Sequence, residues 1–181
     1  IGPLNILNAI KSIDTKIKFY QASTSELYGN SNEDIQDENT KFEPASPYAI
    51  SKLYAYWMTV NFRNSYNMFC CNGILFNHES PIRGLEFVTR KISDGVAQIK
   101  CGKKNFLSLG NIDSKRDWGF AEDYVEAMWL MMQCDHSDDY VISTGHTHTV
   151  EEYVIEAFKC INIYEYQDYV EINKKLYRPS E

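Results

Sequence analysis

Apolar residues recur at helical spacing from the start of the chain, where Leu4, Leu7, Ile10 and Ile13 mark one face of a helix. The segment 16–23 (KIKFYQAS) then takes on strand character, and the acidic stretch 32–43, with few apolar anchors, reads as a loop. Ser46-Pro47 predicts a helix start, because serine caps exposed N–H groups and proline wastes no donor at the first helical position. That helix runs to about Tyr66. The nearly unbroken apolar run 69–76 (FCCNGILF) fits a strand covered on both faces. A helix over 86–100 follows through Val88, Ile92, Val96 and Ile99, then a short strand over 106–109. The pattern next predicts a helix over 121–133 with Tyr124, Val125, Met128, Trp129 and Met132 inward, and a strand over 140–144. Thr149 and Glu152 have capping-box spacing, so a last helix runs to about Cys160, before a tyrosine-rich tail. Alternating strands and helices predict an α/β fold with a mainly parallel sheet.

Composition narrows the function. With 181 residues, 44% hydrophobic and 24% charged, the chain suits one domain, or one domain and part of another. No apolar run nears the roughly 18 residues of a membrane span and no basic-then-apolar leader opens the chain, so a cytoplasmic protein is expected, with no membrane partner. Eighteen basic against 25 acidic residues give a net charge of −7, which disfavours nucleic acid as a partner. The five cysteines, at 70, 71, 101, 134 and 160, include no C-x-x-C and are read as reduced, mostly buried thiols. His146 and His148 lack a third ligand, so no metal site is predicted, and His136 in its acidic turn reads as solvated.

The chemistry-bearing pattern is Ser23-Thr24-Ser25-Glu26-Leu27-Tyr28-Gly29 after a strand, followed by Tyr48 and Lys52 at the start of a helix. Residues i and i+4 share a helical face, so phenol and ammonium can converge on one ligand. An ammonium beside a tyrosine favours the phenolate, which is how tyrosine becomes a usable base. Hydroxyls at the carboxyl end of a strand lie where open α/β sheets present ligands. Alone, Tyr-x-x-x-Lys also describes an exposed helical pair.

The segments FYQASTSELYG, SPYAISKLYAYW, NGILFNHESP, FVTRKI, SLGNIDSKRDWGFAEDYVEAMW and YRPSE, in this order, resemble the GDP-mannose 4,6-dehydratase family of the extended short-chain dehydrogenases/reductases. The resemblance implies a Rossmann-like sheet, incomplete at the N-terminus, with a smaller α/β substrate-binding domain. Residues 1–77 would be the later part of an NADP-binding domain, 78–116 and 139–181 the substrate domain, and 117–138 a helix returning to the first. It also implies NADP as cofactor and GDP-mannose as substrate. Tyr48 and Lys52 would serve hydride transfer at the sugar's C4, Thr24 would hydrogen-bond the C4 oxygen, and Glu26 would take the C5 proton and help expel the C6 hydroxyl as water. His78 and Arg83 match cofactor contacts, while Ser25, Asn77, Val88, Lys91, Gly110, Arg116, Arg178 and Glu181 match substrate positions. The residue types agree with that chemistry: a C4 ketone acidifies the C5 proton, so a modest carboxylate base suffices after the first step.

The chain departs from that family in places. Ile82 stands where a second basic residue is usual, Arg90 and Lys115 match no ligand position, and the nine glycines include no G-x-G-x-x-G turn. With a short passage between Ile161 and Lys175 as well, the chain reads as a fragment, poorly stable and weak in NADP binding when isolated. A sugar-nucleotide 4-epimerase, which needs no C5 base, and a catalytically silent GDP-sugar-binding subunit are the alternatives. The aromatics Tyr54, Tyr56, Trp57 and Phe62 exceed what a helix on one sheet usually buries; they either fill the core or pair with a second copy in the homodimer or tetramer the resemblance implies.

Overall fold

The structure is a computed structural model that describes residues 1–177. In chain order its elements are α1 (Gly2–Ile13), β1 (Phe19–Ala22), α2 (Pro47–Tyr66), β2 (Cys70–Leu75), β3 (Asn77–Glu79), α3 (Val88–Lys100), β4 (Leu107–Leu109), β5 (Lys115–Phe120), α4 (Ala121–Met131), β6 (Asp139–Ile142), β7 (Thr147–Thr149), α5 (Val150–Lys159) and β8 (Val170–Ile172). They divide between two units, Ile1–His78 with Gly119–Ser143, and Glu79–Trp118 with the residues from Thr144 onward.

The first unit holds a three-stranded parallel sheet in the order β1-β2-β6. Its middle strand, β2, is buried at every position, as its continuous apolar run predicts. Neighbouring strand residues point to opposite faces, and the two adjacent cysteines show which helices cover each. Cys70 joins Leu7, Phe19, Phe62 and Met68 beneath α1 and α2, whereas Cys71 Sγ lies 3.8 Å from the Met131 carbonyl of α4. Helices therefore cover both faces, the layering of an α/β fold. The Ser46 hydroxyl caps α2 by accepting from Ala49 N at 3.0 Å, Pro47 takes the first position, and Asn67 ends the helix in the left-handed region at φ 52°.

The second unit buries one face of α3 (Ile92, Val96, Ile99) and one face of α5 (Val150, Val154, Phe158) with Leu107 and Leu109 of β4 and Tyr166. Here β4 pairs with β8 in parallel and β5 pairs with β7 antiparallel. Thr149 and Glu152 form the predicted capping box at the start of α5.

Several expectations need correction. The reading that placed 139–181 in the second unit fails at its start: Asn72 to Leu75 pair in register with Asp139 to Ile142, so β6 belongs to the first sheet. Val125 and Trp129 are 60% and 62% exposed rather than inward, because α4 buries the neighbouring stripe through Tyr124 and Met131. Of the cysteines only Cys70 and Cys71 are buried; Cys101, Cys134 and Cys160 are exposed. The α2 aromatics divide, with Tyr56 and Phe62 in the core and Tyr54 and Trp57 exposed. The strands β3, β5, β7 and β8 were not legible as strands. Among the described residues, no helix is long and apolar enough to cross a membrane.

Candidate active site

The carboxyl end of β1 leads directly into the chemistry-bearing segment. The Thr24 side chain caps a single 3-10 turn, Ser25–Leu27, by accepting from Glu26 N at 3.2 Å. The chain then turns at Gly29, whose φ is +52° and where a Cβ would stand only 1.9 Å from the Glu43 carbonyl oxygen. Glycine is required there on both counts. Backbone bonds from Glu43 N to Leu27 O (3.0 Å) and from Asn30 N to Glu43 O (3.1 Å) fold the acidic loop back onto the segment. This brings the start of α2 beside the Ser25–Leu27 turn.

Two side-chain bonds tie helix and strand end together. Ser46, besides capping α2, donates from Oγ to Glu26 Oε2 at 3.3 Å; a hydroxyl can accept and donate at once. Lys52 Nζ donates to the carbonyl of Ala22, the last residue of β1, at 2.8 Å. Burial lowers the pKa of the Lys52 ammonium. Its Nζ lies 5.8 Å from the centroid of the Tyr48 ring, one turn earlier, and Tyr48 is 50% exposed. Thr24, Glu26, Tyr48 and Lys52 are thus gathered at one end of one sheet. Ser25 lies in the same turn, half-buried. Ser23, which precedes Thr24, is buried and its hydroxyl has no hydrogen-bond partner among the described residues.

Asn77 and His78 lie on β3, just after β2. His78 Nδ1 is 2.9 Å from the Phe76 carbonyl, so that nitrogen carries the proton, and the ring stacks on Tyr124 at 4.8 Å between centroids.

The other matched residues belong to the second unit. Val88 and Lys91 occupy the first turn of α3, and Lys91 lines a cavity of about 780 Å³ with Asp94, Gln98, Lys103, Phe106 and Ser108. Gly110 follows β4, where a Cβ would stand 3.0 Å from the carbonyl oxygen of Leu176, so the tail segment passes close against it. Arg116 sits on β5 and donates from Nη1 to the Lys115 carbonyl at 2.7 Å. Arg83 lies with its Nε 3.2 Å from Glu79 Oε2 and its Cζ 3.4 Å from the Phe87 ring centroid. Arg178 and Glu181 lie outside the described residues.

Sequence reasoning missed Ser46 as a site residue, since it registered only as a cap, and missed Asp117. That aspartate is buried, and its carboxylate accepts from Thr144 N and Oγ1 and from Gly145 N at 2.9–3.1 Å, fixing the turn beside Arg116. Next to Lys115 and Arg116 it reads in sequence as an ordinary surface charge.

A parallel sheet between helices, with a threonine, a carboxylate, a tyrosine and a lysine gathered at the carboxyl end of one strand, defines a Rossmann-type α/β fold with a polar cluster where such sheets present ligands. Solved structures agree on the fold: RMD from Pseudomonas aeruginosa complexed with NADPH matches with a TM-score of 0.88 at 23% identity, over 95% of this chain and 59% of that one. A dTDP-glucose 4,6-dehydratase from Bacillus anthracis in complex with NAD matches with a TM-score of 0.84 at 23% identity, over 96% and 54%. A family model described as GDP-mannose 4,6 dehydratase matches residues 1–181, and the chain belongs to that family. A GDP-mannose 4,6 dehydratase of Dictyostelium discoideum is 53% identical over 199 residues, covering 100% of this chain and 56% of its own length. One of Homo sapiens is 59% identical over 160 residues, covering 87% and 43%. The chain spans about half the length of the curated relatives it matches.

Proposed function

We propose that the full-length protein is a GDP-mannose 4,6-dehydratase, a hydro-lyase that converts GDP-mannose to GDP-4-keto-6-deoxymannose and water with NADP as its internal redox partner. The observation that carries this reading is the linkage of Glu26 through Ser46 to the helix of Tyr48 and Lys52, itself anchored by Lys52 to the end of β1. An oxidoreductase or an epimerase needs the threonine, tyrosine and lysine. Only a dehydratase needs a carboxylate fixed beside them.

The residues present fit the cofactor. The Tyr48 phenol and the outer Nη edge of Arg83 make no protein hydrogen bond among the described residues, and Tyr48, Lys52, His78 and Arg83 would hold NADP. When bound, NADP supplies a hydride acceptor toward C4 and a hydride donor toward C6. Tyr48 takes the proton of the C4 hydroxyl, with Lys52 compensating the phenolate charge and Thr24 donating to the C4 oxygen. Glu26 then removes the C5 proton, which the new ketone has acidified, and passes it to the departing C6 hydroxyl, so that one water leaves; the proton Tyr48 took from the C4 hydroxyl goes to C5 as C6 is reduced, which restores the phenolate. Ser25, Asn77, Val88, Lys91, Gly110 and Arg116 would bind GDP-mannose, with Arg178 and Glu181 completing the set. Basic side chains concentrated on the ligand let an acidic protein hold a diphosphate.

Two coarser features belong to the same reading. Ile50, Tyr54 and Trp57 form an outward i, i+4, i+7 stripe on α2 at 58%, 44% and 55% exposure, which a second copy would cover in a homodimer or tetramer. Sedimentation of only monomer would remove that idea. Five unpaired thiols suit the reducing cytoplasm as the working compartment.

The test is to incubate the full-length protein with GDP-mannose and NADP and follow the nucleotide sugar by mass spectrometry, with Glu26→Gln alongside. The parent is expected to remove one water, and the variant to do so about 10²–10⁴-fold more slowly. An unchanged mass in the parent overturns the reading, leaving an epimerase if the sugar is isomerised and a binding subunit if it is untouched.

A further inference from the structure

Glu79, the last residue of β3, gathers side chains of its own unit around one oxygen. Its Oε2 accepts the Thr89 hydroxyl at 2.6 Å and lies 3.2 Å from Arg83 Nε. Thr89 is buried in the first turn of α3, and Phe87, just before that helix, carries the Arg83 guanidinium on its ring face at 3.4 Å. The intervening turn is itself tied, from Arg83 N to the Ser80 carbonyl at 3.0 Å and from Arg90 Nη1 to the Pro81 carbonyl at 2.9 Å.

Arg83 is therefore held by charge along one edge, where Nε pairs with Glu79 without forming a hydrogen bond, and by stacking over one face. What remains is the pair of Nη groups, which bond no protein atom among the described residues and form the planar fork that matches a phosphate. A carboxylate against an anion-binding arginine offsets part of its charge, so its presence is not explained by attraction for the anion. It is explained by geometry: a long side chain held in its binding rotamer loses less freedom when the ligand arrives. Thr89 orients the carboxylate in turn.

We propose that Glu79 is a positioning residue which, steered by Thr89, aims the free Nη fork of Arg83 at a phosphate group of the bound cofactor. This rests on the proposed function, in which Arg83 touches NADP.

The experiment measures NADP affinity of the full-length protein by calorimetry, together with kcat and KM for GDP-mannose at saturating NADP. Glu79→Gln, which removes the ion pair that holds Arg83 in its rotamer, is expected to weaken NADP binding about tenfold while both kinetic constants stay within about twofold. Arg83→Ala should weaken NADP at least as much, and adding Glu79→Gln to it should change nothing further. A Glu79→Gln effect that persists undiminished without Arg83, or no effect at all, overturns the proposal. Thr89→Val serves as the second variant should Glu79→Gln fold poorly, with a smaller loss and the same dependence on Arg83. If Arg83→Ala binds NADP normally in a protein that still dehydrates GDP-mannose, the positioning role falls and the dehydratase reading stands. A parent that removes no water overturns that reading itself.

Discussion

Toward its C-terminus α2 presents Tyr56 and Arg63 to Asp139, and in its first turns it presents Tyr48 and Lys52 to the end of β1. The two sites lie at opposite ends of the same parallel sheet and differ in how completely their polar atoms are used. Around Asp139, Arg63 donates from both Nη atoms at 3.0 and 2.9 Å, Tyr56 Oη donates at 2.7 Å and Asn72 Nδ2 at 2.8 Å. Only 13–14% of the two charged side chains is exposed. Burial pushes the Asp139 carboxyl upward, but these hydrogen bonds and the Arg63 charge outweigh it, so its pKa lies below the ordinary value. At the other end Tyr48 and Glu26 are exposed, and each holds donors or acceptors that go unused among the described residues. A closed network stabilises the fold, and an open one keeps capacity for a ligand.

The largest effect should come from opening the closed end. Asp139→Ala leaves Arg63 largely buried without its counter-charge, which costs about 3–5 kcal/mol. Glu26→Gln, at the open end, should stay within about 0.5 kcal/mol in the same urea melts of the full-length protein, because nothing buried depends on it. A cost below about 1 kcal/mol for Asp139→Ala would erase the contrast.

Acid sharpens it next. A carboxylate with a depressed folded pKa contributes stability that is fully present above its unfolded pKa, near 3.9, and is lost as pH falls through the folded value. The parent should therefore lose stability below about pH 4 more steeply than Asp139→Asn, whose side chain does not titrate. Parallel pH profiles for the two would mean that the Asp139 network stores no charge-dependent stability.

What the sequence made legible follows the range of the interactions involved. Both ends of α2 were readable from local signals, Ser46-Pro47 at its start and an apolar run opening β2 soon after its end. Tyr48 and Lys52 were readable because a helix brings i and i+4 together without help. The Ser46–Glu26 bond was not, since a loop separates the partners and only Gly29 and Glu43 fold it back. Asp139 carries no local signal in the sequence, because its partners come from α2 and β2, more than 60 residues away. Short polar strands such as Thr147–Thr149 exist through their pairing with β5 and show no alternation of their own. On α4 two apolar stripes lie one residue apart, and periodicity does not say which one the sheet covers.

The smallest effect belongs to the residue that joins structure and chemistry at the open end. Ser46 caps α2 and holds Glu26, so Ser46→Ala should cost about 1 kcal/mol of stability and, by freeing Glu26, a few-fold in the rate of water loss. The two roles separate in Ser46→Asp. Aspartate caps a helix as well as serine does, so stability should return to the parent's value. Its carboxylate, however, stands where the hydroxyl donated to Glu26 Oε2, and like charges at that distance drive Glu26, the proposed base, out of position. Ser46→Asp should therefore melt like the parent and turn over more slowly than Ser46→Ala. Equal rates for the two variants would show that Ser46 serves α2 alone, and that Glu26 finds its place without it.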